Sequence, residues 1–250
     1  MIAIITGATS GFGRASAIRL ARLGYDVIIT GRRSERLAEL TTEIENQLGR
    51  KVYPLCFDIR SREACEKAWE SLPEEWREVD VLMNNAGLAA CSEPIGVASL
   101  DDFDRMIDTN VKGLLYFSQQ VIPVMMARKK GMIINLSSIA GVEVYPNGNV
   151  YCATKHAVSA LTKAMRIDLL PYGIRVGSIS PGAAETEFSL VRFKGDADKA
   201  KAVYKGMIPL NAEDIADIVE FMVTRPEHVM INDVLVTPSR QANTYVYNRE

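Results

Sequence analysis

Seven short apolar runs separated by amphipathic stretches constrain the fold of this chain more than any other feature. The runs are residues 2–6, 26–30, 52–57, 81–84, 132–136, 174–179 and 234–236. They lack the alternation of a half-exposed strand, which is typical of strands buried on both faces of a parallel sheet. The sequence therefore predicts an α/β fold, a doubly wound parallel sheet with helices on both faces.

Length and composition limit the classes of protein to which the chain can belong. With 250 residues, 48% of them hydrophobic, it can bury a sizeable core, and no linker, repeat or low-complexity tract divides it. We expect one domain over residues 1–250, with a small lid at about 185–206, where charged and small residues interrupt the alternation. The 29 basic and 31 acidic residues nearly balance, so the net charge favours a small-molecule substrate over nucleic acid or a membrane.

The four cysteines show neither a CxxC motif nor Cys/His ligand spacing, so we expect a reducing compartment and no metal. Cys56 and Cys152 lie in apolar segments and are predicted to be core residues. Met1 is followed at once by an apolar strand pattern, and no later apolar run is long enough to span a membrane. These features predict a cytoplasmic protein.

A glycine-rich loop joins the first strand to a helix predicted over about residues 14–23. The loop consists of Thr6, Gly7, Ala8, Thr9, Ser10, Gly11, Phe12 and Gly13. Glycines allow a tight turn and a close approach to a pyrophosphate, and the helix N-terminus attracts its negative charge. The spacing is longer than G-x-G-x-x-G. The loop therefore favours dinucleotide binding in a Rossmann-type fold, with a purely structural turn as the alternative.

The end of the second strand carries a signal for the type of dinucleotide. An acidic residue here usually holds the ribose 2′-hydroxyl of NAD, whereas arginine suits the 2′-phosphate of NADP. Thr30 and Gly31 occupy the position, and Arg32 and Arg33 follow. We therefore predict NADP as the cofactor, with both arginines on its phosphate. The alternative is that they are the solvated start of the helix predicted over 34–48.

Small and polar residues follow the third and fourth strands, at the edge where open α/β sheets bind ligands. They are Asp58 and Ile59 after the third strand, and Asn85, Ala86 and Gly87 after the fourth. Asp58 could accept a hydrogen bond from an adenine amino group, while Ala86 and Gly87 leave room for a ribose. An ordinary turn is the alternative at both places.

A tyrosine and a lysine four residues apart, Tyr151 and Lys155, share one face of a predicted helix. A nearby ammonium would favour the phenolate, so the pair could transfer a proton to or from an alcohol oxygen; a solvated helix face is the alternative. Ser138, at the end of the fifth strand, could hold the substrate oxygen. Asn110 lies inside the helical stretch 101–127, where its amide could kink the helix or hold a water; an exposed position is the alternative.

Taken together, these motifs resemble the short-chain dehydrogenase/reductase family over essentially the whole chain. The matching elements are the TGxxxGxG loop (6–13), the NNAG segment (84–87), Asn110, Ser138, the YxxxK pair (151–155) and Pro181-Gly182. Each element alone is weak, but their order and separations are highly specific.

The resemblance implies a role for each matching residue. Tyr151 would be the acid/base, and Lys155 would lower its pKa and hold the nicotinamide ribose. Ser138 would orient the carbonyl or alcohol, and Asn110 would support a water in the proton relay. Further cofactor contacts would come from Pro181, Gly182, Ala184, Thr186 and Phe188. The family also implies a homotetramer formed through the helices 101–127 and 150–172, although the apolar faces of these helices could equally pack against the sheet.

Within the family, the chain is similar to NADP-dependent 3-hydroxy acid dehydrogenases of the serine and allo-threonine type. The similarity lies in residues 84–89, 106–110 and 148–151, and above all in the lid stretch 187–196. There Arg192 or Lys194 could reach a substrate carboxylate, with an exposed lid arginine as the alternative. The lid start 183–186 and the tail 237–242 depart from the pattern. The Ala-Glu-Thr-Glu-Phe sequence at 184–188 resembles a related branch, the sulfoacetaldehyde reductases, which is the alternative.

Two further functions stay open. The first is reduction of a 3-oxoacyl group on a carrier protein, for which the basic run 128–130 could dock an acidic partner, although such lysines are usually solvated turn residues. The second is an NADP-binding regulatory protein, since fold alone does not determine function. The presence of Ser138, Tyr151 and Lys155 together argues against the second.

Overall fold

Seven parallel strands form the centre of the structure, a computed structural model that describes residues 1–249. The strands are β1 (Ile2–Ile5), β2 (Asp26–Gly31), β3 (Val52–Cys56), β4 (Val81–Asn84), β5 (Gly131–Leu136), β6 (Ile174–Pro181) and β7 (Asp233–Val236). Their order across the sheet is β3-β2-β1-β4-β5-β6-β7, and every neighbouring pair is parallel. Each apolar run of the sequence corresponds to one strand, and the predicted fold class is confirmed.

Helices cover both faces of this sheet. They are α1 (Gly11–Arg22), α2 (Ser34–Leu48), α3 (Arg62–Glu70), α4 (Leu100–Ile107), α5 (Leu114–Arg128), α6 (Asn149–Leu169), α7 (Glu187–Arg192), α8 (Ala197–Ala202) and α9 (Ala212–Val223). On one face α1, α2 and α9 bury side chains such as Leu40 and Val219 against the strands. On the other face α3, α5 and α6 bury Phe117 and Met165.

The strand order reverses beside β1. In register, Ile4 of β1 lies between Ile28 of β2 and Leu82 of β4. The chain leaves β1 towards the face covered by α1 and leaves β4 towards the face covered by α5. In an open α/β sheet, such a reversal leaves a crevice outside the carboxyl ends of the strands.

The helix predicted over 101–127 is interrupted. Between α4 and α5 the residues Asp108–Gly113 form a π-helical turn, which accommodates one extra residue. Within it, Asn110 accepts a hydrogen bond from the Leu88 N–H and donates one to the Leu88 carbonyl, both at 2.8 Å. The turn ends at Gly113. A side chain would not fit at this position, because its Cβ would lie 2.9 Å from Ile59 Cγ2. Asn110 thus lies where the predicted helix is distorted, and because it is buried, the alternative of an exposed position is wrong.

Two other sequence interpretations need correction. Cys56 is exposed because β3 is an edge strand, whereas Cys152 is buried as predicted. The helix predicted over 150–172 is α-helical only through α6, and its last turn, Leu170–Tyr172, is a 3₁₀ helix. The turn ends at Gly173, whose φ of +68° is one that glycine adopts readily.

Two features are absent from residues 1–249. No helix there is long and apolar enough to cross a membrane. No group of three or more His, Cys, Asp or Glu side chains is arranged to hold a metal ion in that part of the chain. The single domain predicted over 1–250 includes Glu250, which lies outside the described residues, and it stays a prediction.

A buried amide network joins β4 and β5 below the crevice. Asn84 Nδ2 donates to Asn135 Oδ1 at 2.9 Å and to Ser118 Oγ at 2.9 Å. Asn135 Nδ2 in turn donates to Thr162 Oγ1 of α6 at 2.9 Å. Asn84 and Asn135 are almost inaccessible to solvent, so each hydrogen bond replaces water that cannot reach them.

Replacing Asn135 with alanine leaves the Asn84 amide short of a partner in a buried position. We expect Asn135→Ala to lower the free energy of unfolding by about 1–3 kcal/mol, measured by urea denaturation. Asn46→Ala, at an exposed position of α2, is the control and should change it by no more than about 0.5 kcal/mol. Equal effects of the two substitutions would show that the network contributes nothing.

Candidate active site

A cavity of about 640 Å³ opens at the carboxyl edge of the sheet. Its walls come from the segments that follow β1 to β6, from the lid segment 185–206 and from the tail after β7. Its volume is typical of small-molecule and cofactor sites, about 300–1,000 Å³. The sequence-predicted residues in its wall are Gly7, Thr9, Ser10, Gly11, Phe12, Arg32, Arg33, Asp58, Ile59, Asn85, Ala86, Gly87, Ser138, Tyr151, Lys155, Pro181, Gly182, Ala184, Thr186, Phe188 and Arg192. Ala8, Gly13 and Asn110 are buried outside that wall.

The glycine loop fits a ligand that approaches the backbone closely. Gly7 and Gly11 have φ values of +67° and +51°, which side chains disfavour. A Cβ on Gly13 would lie 2.4 Å from Asn85 Nδ2, the group that binds the loop carbonyls of Thr6 and Gly7. Because α1 begins at Gly11, its N-terminus faces the cavity and offers unpaired N–H groups. The loop therefore suits the pyrophosphate of a dinucleotide.

Arg32 and Arg33 lie in the cavity wall beside the glycine loop. Arg33 donates from Nε to Thr9 Oγ1 at 3.1 Å and from Nη2 to Ser10 Oγ at 3.0 Å. Arg32 Nη1 lies 3.8 Å from Asp58 Oδ2. These contacts hold two cations at the end of β2, where a ribose 2′-phosphate would need them.

Asp58 is already paired within the structure. The Arg60 guanidinium reaches Asp58 Oδ2 at 2.6 Å, and the Arg60 N–H donates to Oδ1 at 3.0 Å. The Arg60 hydrogen bond lowers the pKa of the Asp58 carboxyl against the opposing effect of burial. The carboxylate is thus ionised, and some of its hydrogen-bonding capacity is used by Arg60. Its contact with an adenine stays a prediction.

The three residues proposed for catalysis meet in one part of the cavity. Tyr151 and Lys155 stand on α6, and Ser138 follows β5. Lys155 Nζ donates to the carbonyl of Leu136 at 2.8 Å, which fixes the ammonium at the end of β5. The Ser138 hydroxyl accepts a hydrogen bond from the Ala140 N–H at 3.1 Å.

Burial controls the protonation of this pair. It raises the pKa of the Tyr151 phenol to about 12, although the Ser138 hydrogen bond and the Arg192 charge act in the opposite direction. It lowers the pKa of the Lys155 ammonium to about 8. Lys155 is not among the groups that shift the Tyr151 pKa in this structure, so the lowering of that pKa by Lys155 stays a prediction.

Asn110 does not face the cavity directly. Besides its two bonds to Leu88, it donates from Nδ2 to Thr154 Oγ1 at 3.0 Å. Both amide hydrogens are thus used, and only the second lone pair of Oδ1 is left for a water. Asn110 Oδ1 and Lys155 Nζ both come within 3.4 Å of the position that a Cβ of Gly87 would take. The role of Asn110 in a proton relay stays a prediction.

The segment 185–206, which is predicted to form a lid, brings an aromatic ring and a cation close to Tyr151. The ring centroids of Phe188 and Tyr151 are 5.6 Å apart. The Arg192 guanidinium lies 5.4 Å from the ring centroid of Tyr145 and donates to Ser92 Oγ at 3.2 Å. Its Nε is buried without a hydrogen-bond partner.

The two lid cations considered for a substrate carboxylate have different positions. Arg192 lines the cavity, whereas Lys194 points to Asp102, with Nζ 2.7 Å from Oδ2. Lys194 is therefore neutralised outside the cavity wall. Arg192 is the lid cation that an anionic substrate could meet.

Sequence reasoning missed several residues of the wall that come from distant parts of the chain. They are Ser92, Tyr145, Gln241, Thr244 and Tyr247. Gln241 Oε1 accepts from the Ala183 N–H at 2.8 Å, and its Nε2 donates to Tyr247 Oη at 3.1 Å. Their positions depend on tertiary contacts and carry no motif. The only sequence signal was that the tail 237–242 departs from the family pattern.

Comparison with known proteins identifies relatives of this chain. A family model described as short chain dehydrogenase matches residues 1–196. A probable NADP-dependent dehydrogenase of Haemophilus influenzae is 48% identical over 241 residues, which cover 96% of this chain and 94% of that protein. The NADP-dependent 3-hydroxy acid dehydrogenase YdfG of Salmonella typhi is 46% identical, covering 97% of this chain and 96% of that one.

Two further similarities bear on the site. Sulfoacetaldehyde reductase 2 of Chromohalobacter salexigens is 44% identical, over 96% of this chain and 95% of that protein. The closed form of a serine dehydrogenase complexed with NADP⁺ superimposes with a TM-score of 0.93 at 44% identity and covers all of both chains.

The fold, the glycine loop and the serine, tyrosine and lysine at the cavity agree with these similarities. The family model covers most of the chain, and the relatives are similar almost from end to end. On these grounds the chain belongs to the short-chain dehydrogenase/reductase family.

Proposed function

We propose that the protein transfers a hydride between NADP(H) and the 3-hydroxyl or 3-carbonyl of a small acid, of the serine, allo-threonine or 3-hydroxypropionate type. The observation that carries this proposal is the position of Arg192. Its guanidinium lies in the wall of the catalytic cavity, and its buried Nε has no hydrogen-bond partner. A buried donor without a partner costs free energy, and a substrate carboxylate would satisfy it.

NADP is the cofactor that the site and the relatives support. The glycine loop would hold the pyrophosphate, Arg32 and Arg33 the 2′-phosphate, and Lys155 the nicotinamide ribose. The absence of a carboxylate at Thr30 and Gly31 agrees with the relatives named as NADP-dependent. When bound, the nicotinamide supplies the hydride acceptor or donor.

The remaining chemistry is a proton transfer performed by the chain itself. In oxidation, the Tyr151 phenolate takes the proton of the substrate hydroxyl while the Ser138 hydroxyl holds the oxygen in place. In reduction, the Tyr151 phenol donates that proton to the carbonyl oxygen. Lys155, held by the Leu136 carbonyl, keeps a positive charge near the phenolate when its own amine is protonated.

A second candidate substrate is a sulfonate, because one relative is named a sulfoacetaldehyde reductase. A guanidinium binds carboxylates and sulfonates through the same pattern of donors, so Arg192 does not discriminate between them. The choice between a carboxylate and a sulfonate substrate therefore depends on the shape of the cavity around Tyr145 and the tail. Both candidates are short acids.

Reduction of an acyl group on a carrier protein is less well supported. Arg128 Nη2 and Lys130 Nζ lie 2.9 and 3.3 Å from Asp80 Oδ1, so two of the three cations of the basic run are already paired. The run precedes β5, at the opposite end of that strand from Ser138. A partner docked there would be far from the mouth of the cavity.

Assembly and location follow only from the family. We propose a homotetramer in the cytoplasm, formed through α4, α5 and α6. The exposed apolar side chains Ile107, Ile167 and Leu170 on and after these helices agree with such contacts.

Removing the Tyr151 hydroxyl tests the proton transfer. We expect Tyr151→Phe to lower kcat by roughly 10²–10⁴-fold with NADP binding retained, because a positioned acid/base contributes that much. The control is Tyr53→Phe, whose hydroxyl contacts the Ser71 carbonyl away from the cavity. A Tyr151→Phe enzyme with more than about a tenth of the wild-type turnover would contradict the role.

The raised pKa of Tyr151 predicts that oxidation and reduction depend differently on pH. Oxidation needs the phenolate, whose population rises about tenfold per pH unit below a pKa of about 12. We expect kcat/KM for the hydroxy acid at saturating NADP to rise from about pH 7 to about pH 9, whereas kcat/KM for reduction should change little, because the phenol stays protonated over this range. Initial rates in both directions measure this. An oxidative plateau already reached below about pH 7 would assign the base to another group.

Selection for an acidic substrate depends on Arg192. With L-serine, 3-hydroxypropionate, isethionate and a neutral secondary alcohol as substrates, we expect Arg192→Gln to raise KM for the acids at least about tenfold. The rate with the neutral alcohol should change little. Lys194→Gln is the control, because Lys194 pairs with Asp102 outside the cavity wall. Equal losses with the acids and the alcohol would mean that Arg192 does not select for charge.

A further inference from the structure

The proposed phosphate site already holds an anionic side chain. Glu187, the first residue of α7 in the lid, accepts a hydrogen bond from Arg33 Nη1 to its Oε2 at 2.8 Å. Its other oxygen, Oε1, lies 3.7 Å from Arg36 Nη1. The lid therefore carries a carboxylate to the same guanidinium that we assign to the 2′-phosphate of NADP.

The other carboxylate at this end of the cavity is in a different situation. Asp58 is close to Arg32 but is bound more tightly by Arg60, which lies 2.6 Å away. The ion pairs of Glu187 within residues 1–249 are with Arg33 and Arg36. The charge of Glu187 is thus balanced by the arginines at the end of β2 and the start of α2.

Glu187 is ionised and replaceable at neutral pH. Burial would raise its pKa, but the Arg33 hydrogen bond and charge outweigh burial and lower it. Its side chain is 39% exposed and that of Arg33 is 42% exposed, so water can hydrate either charged group when the ion pair breaks. A second anion at Arg33 would either take the place of Glu187 or lie beside it, and a like charge nearby is unfavourable.

We propose that Glu187 competes with the 2′-phosphate of NADP for the guanidinium of Arg33, and so reduces the affinity for the phosphorylated cofactor relative to NAD. This inference rests on the proposed role of Arg33 as the phosphate clamp. Because Glu187 is the first residue of α7, its displacement from Arg33 by the phosphate would also break a contact between the lid and Arg33. The next residue, Phe188, packs on Tyr151, so the lid joins the phosphate end of the site to the catalytic end.

The test is the binding of NADP and NAD to the full-length protein, measured by titration calorimetry without substrate. We expect Glu187→Gln, which keeps the shape and removes the charge, to lower the Kd of NADP roughly three- to tenfold. The Kd of NAD, which has no 2′-phosphate, should stay within about twofold. The NADP effect should shrink at high salt, since both groups are partly exposed.

Glu185→Gln is the matched control. Glu185 is an exposed carboxylate two residues earlier in the lid, and it forms no ion pair within residues 1–249. Its loss changes the net charge by the same amount, yet both Kd values should stay within about twofold. Equal tightening by Glu185→Gln and Glu187→Gln would reduce the effect to net charge and overturn the proposal.

Arg33→Ala separates this inference from the function on which it rests. We expect it to raise the Kd of NADP at least about tenfold and to leave that of NAD nearly unchanged. If it leaves the preference for NADP intact, the clamp is wrong and the inference fails with it. If it removes the preference but Glu187→Gln fails to tighten NADP, or tightens NAD equally, the inference alone is overturned.

Discussion

The reversal of strand order beside β1 is the constraint on which the whole site depends. Because α1 and α5 cover opposite faces, the loops after β1 and β4 separate and leave the crevice between them. Asn85 closes the base of that crevice, with its amide on the carbonyls of Thr6 and Gly7. Since all seven strands are parallel, the segments that follow the remaining strands begin at the same edge of the sheet. Groups distant in sequence therefore meet there.

Desolvation has the largest effect on the pKa values of Tyr151 and Lys155, the pair proposed for proton transfer. It acts in opposite directions, holding the Tyr151 phenol protonated and weakening the Lys155 ammonium as a permanent charge. The Leu136 carbonyl orients the ammonium but brings no negative charge to stabilise it. At neutral pH the chain therefore holds a protonated phenol and a protonated ammonium, which is the state that the proposed reduction needs.

Sequence alone predicted the features that depend on local pattern. Short apolar runs marked all seven strands, and i, i+4 spacing placed Tyr151 and Lys155 on one helical face. Features that depend on how deeply a residue is buried, or on contacts between distant parts of the chain, could not be predicted from the sequence. The exposure of Cys56 follows from its place on an edge strand, and the Arg33–Glu187 pair joins residues 154 positions apart. The sign of the Tyr151 pKa shift likewise required knowing that the whole pair is buried.

The π-helical turn Asp108–Gly113 makes the length of this segment as important as its composition. One residue less would restore an ordinary α-helix and rotate one of its halves by about 100° relative to the other. Either the buried face of α4, including Met106, or that of α5, including Phe117, would then turn away from its core. A deletion in the turn would therefore disturb one of the two cores, whereas a substitution at its exposed residue, Lys112, would not. When the chain is aligned with its relatives, these six positions should be treated as a spacer of fixed length.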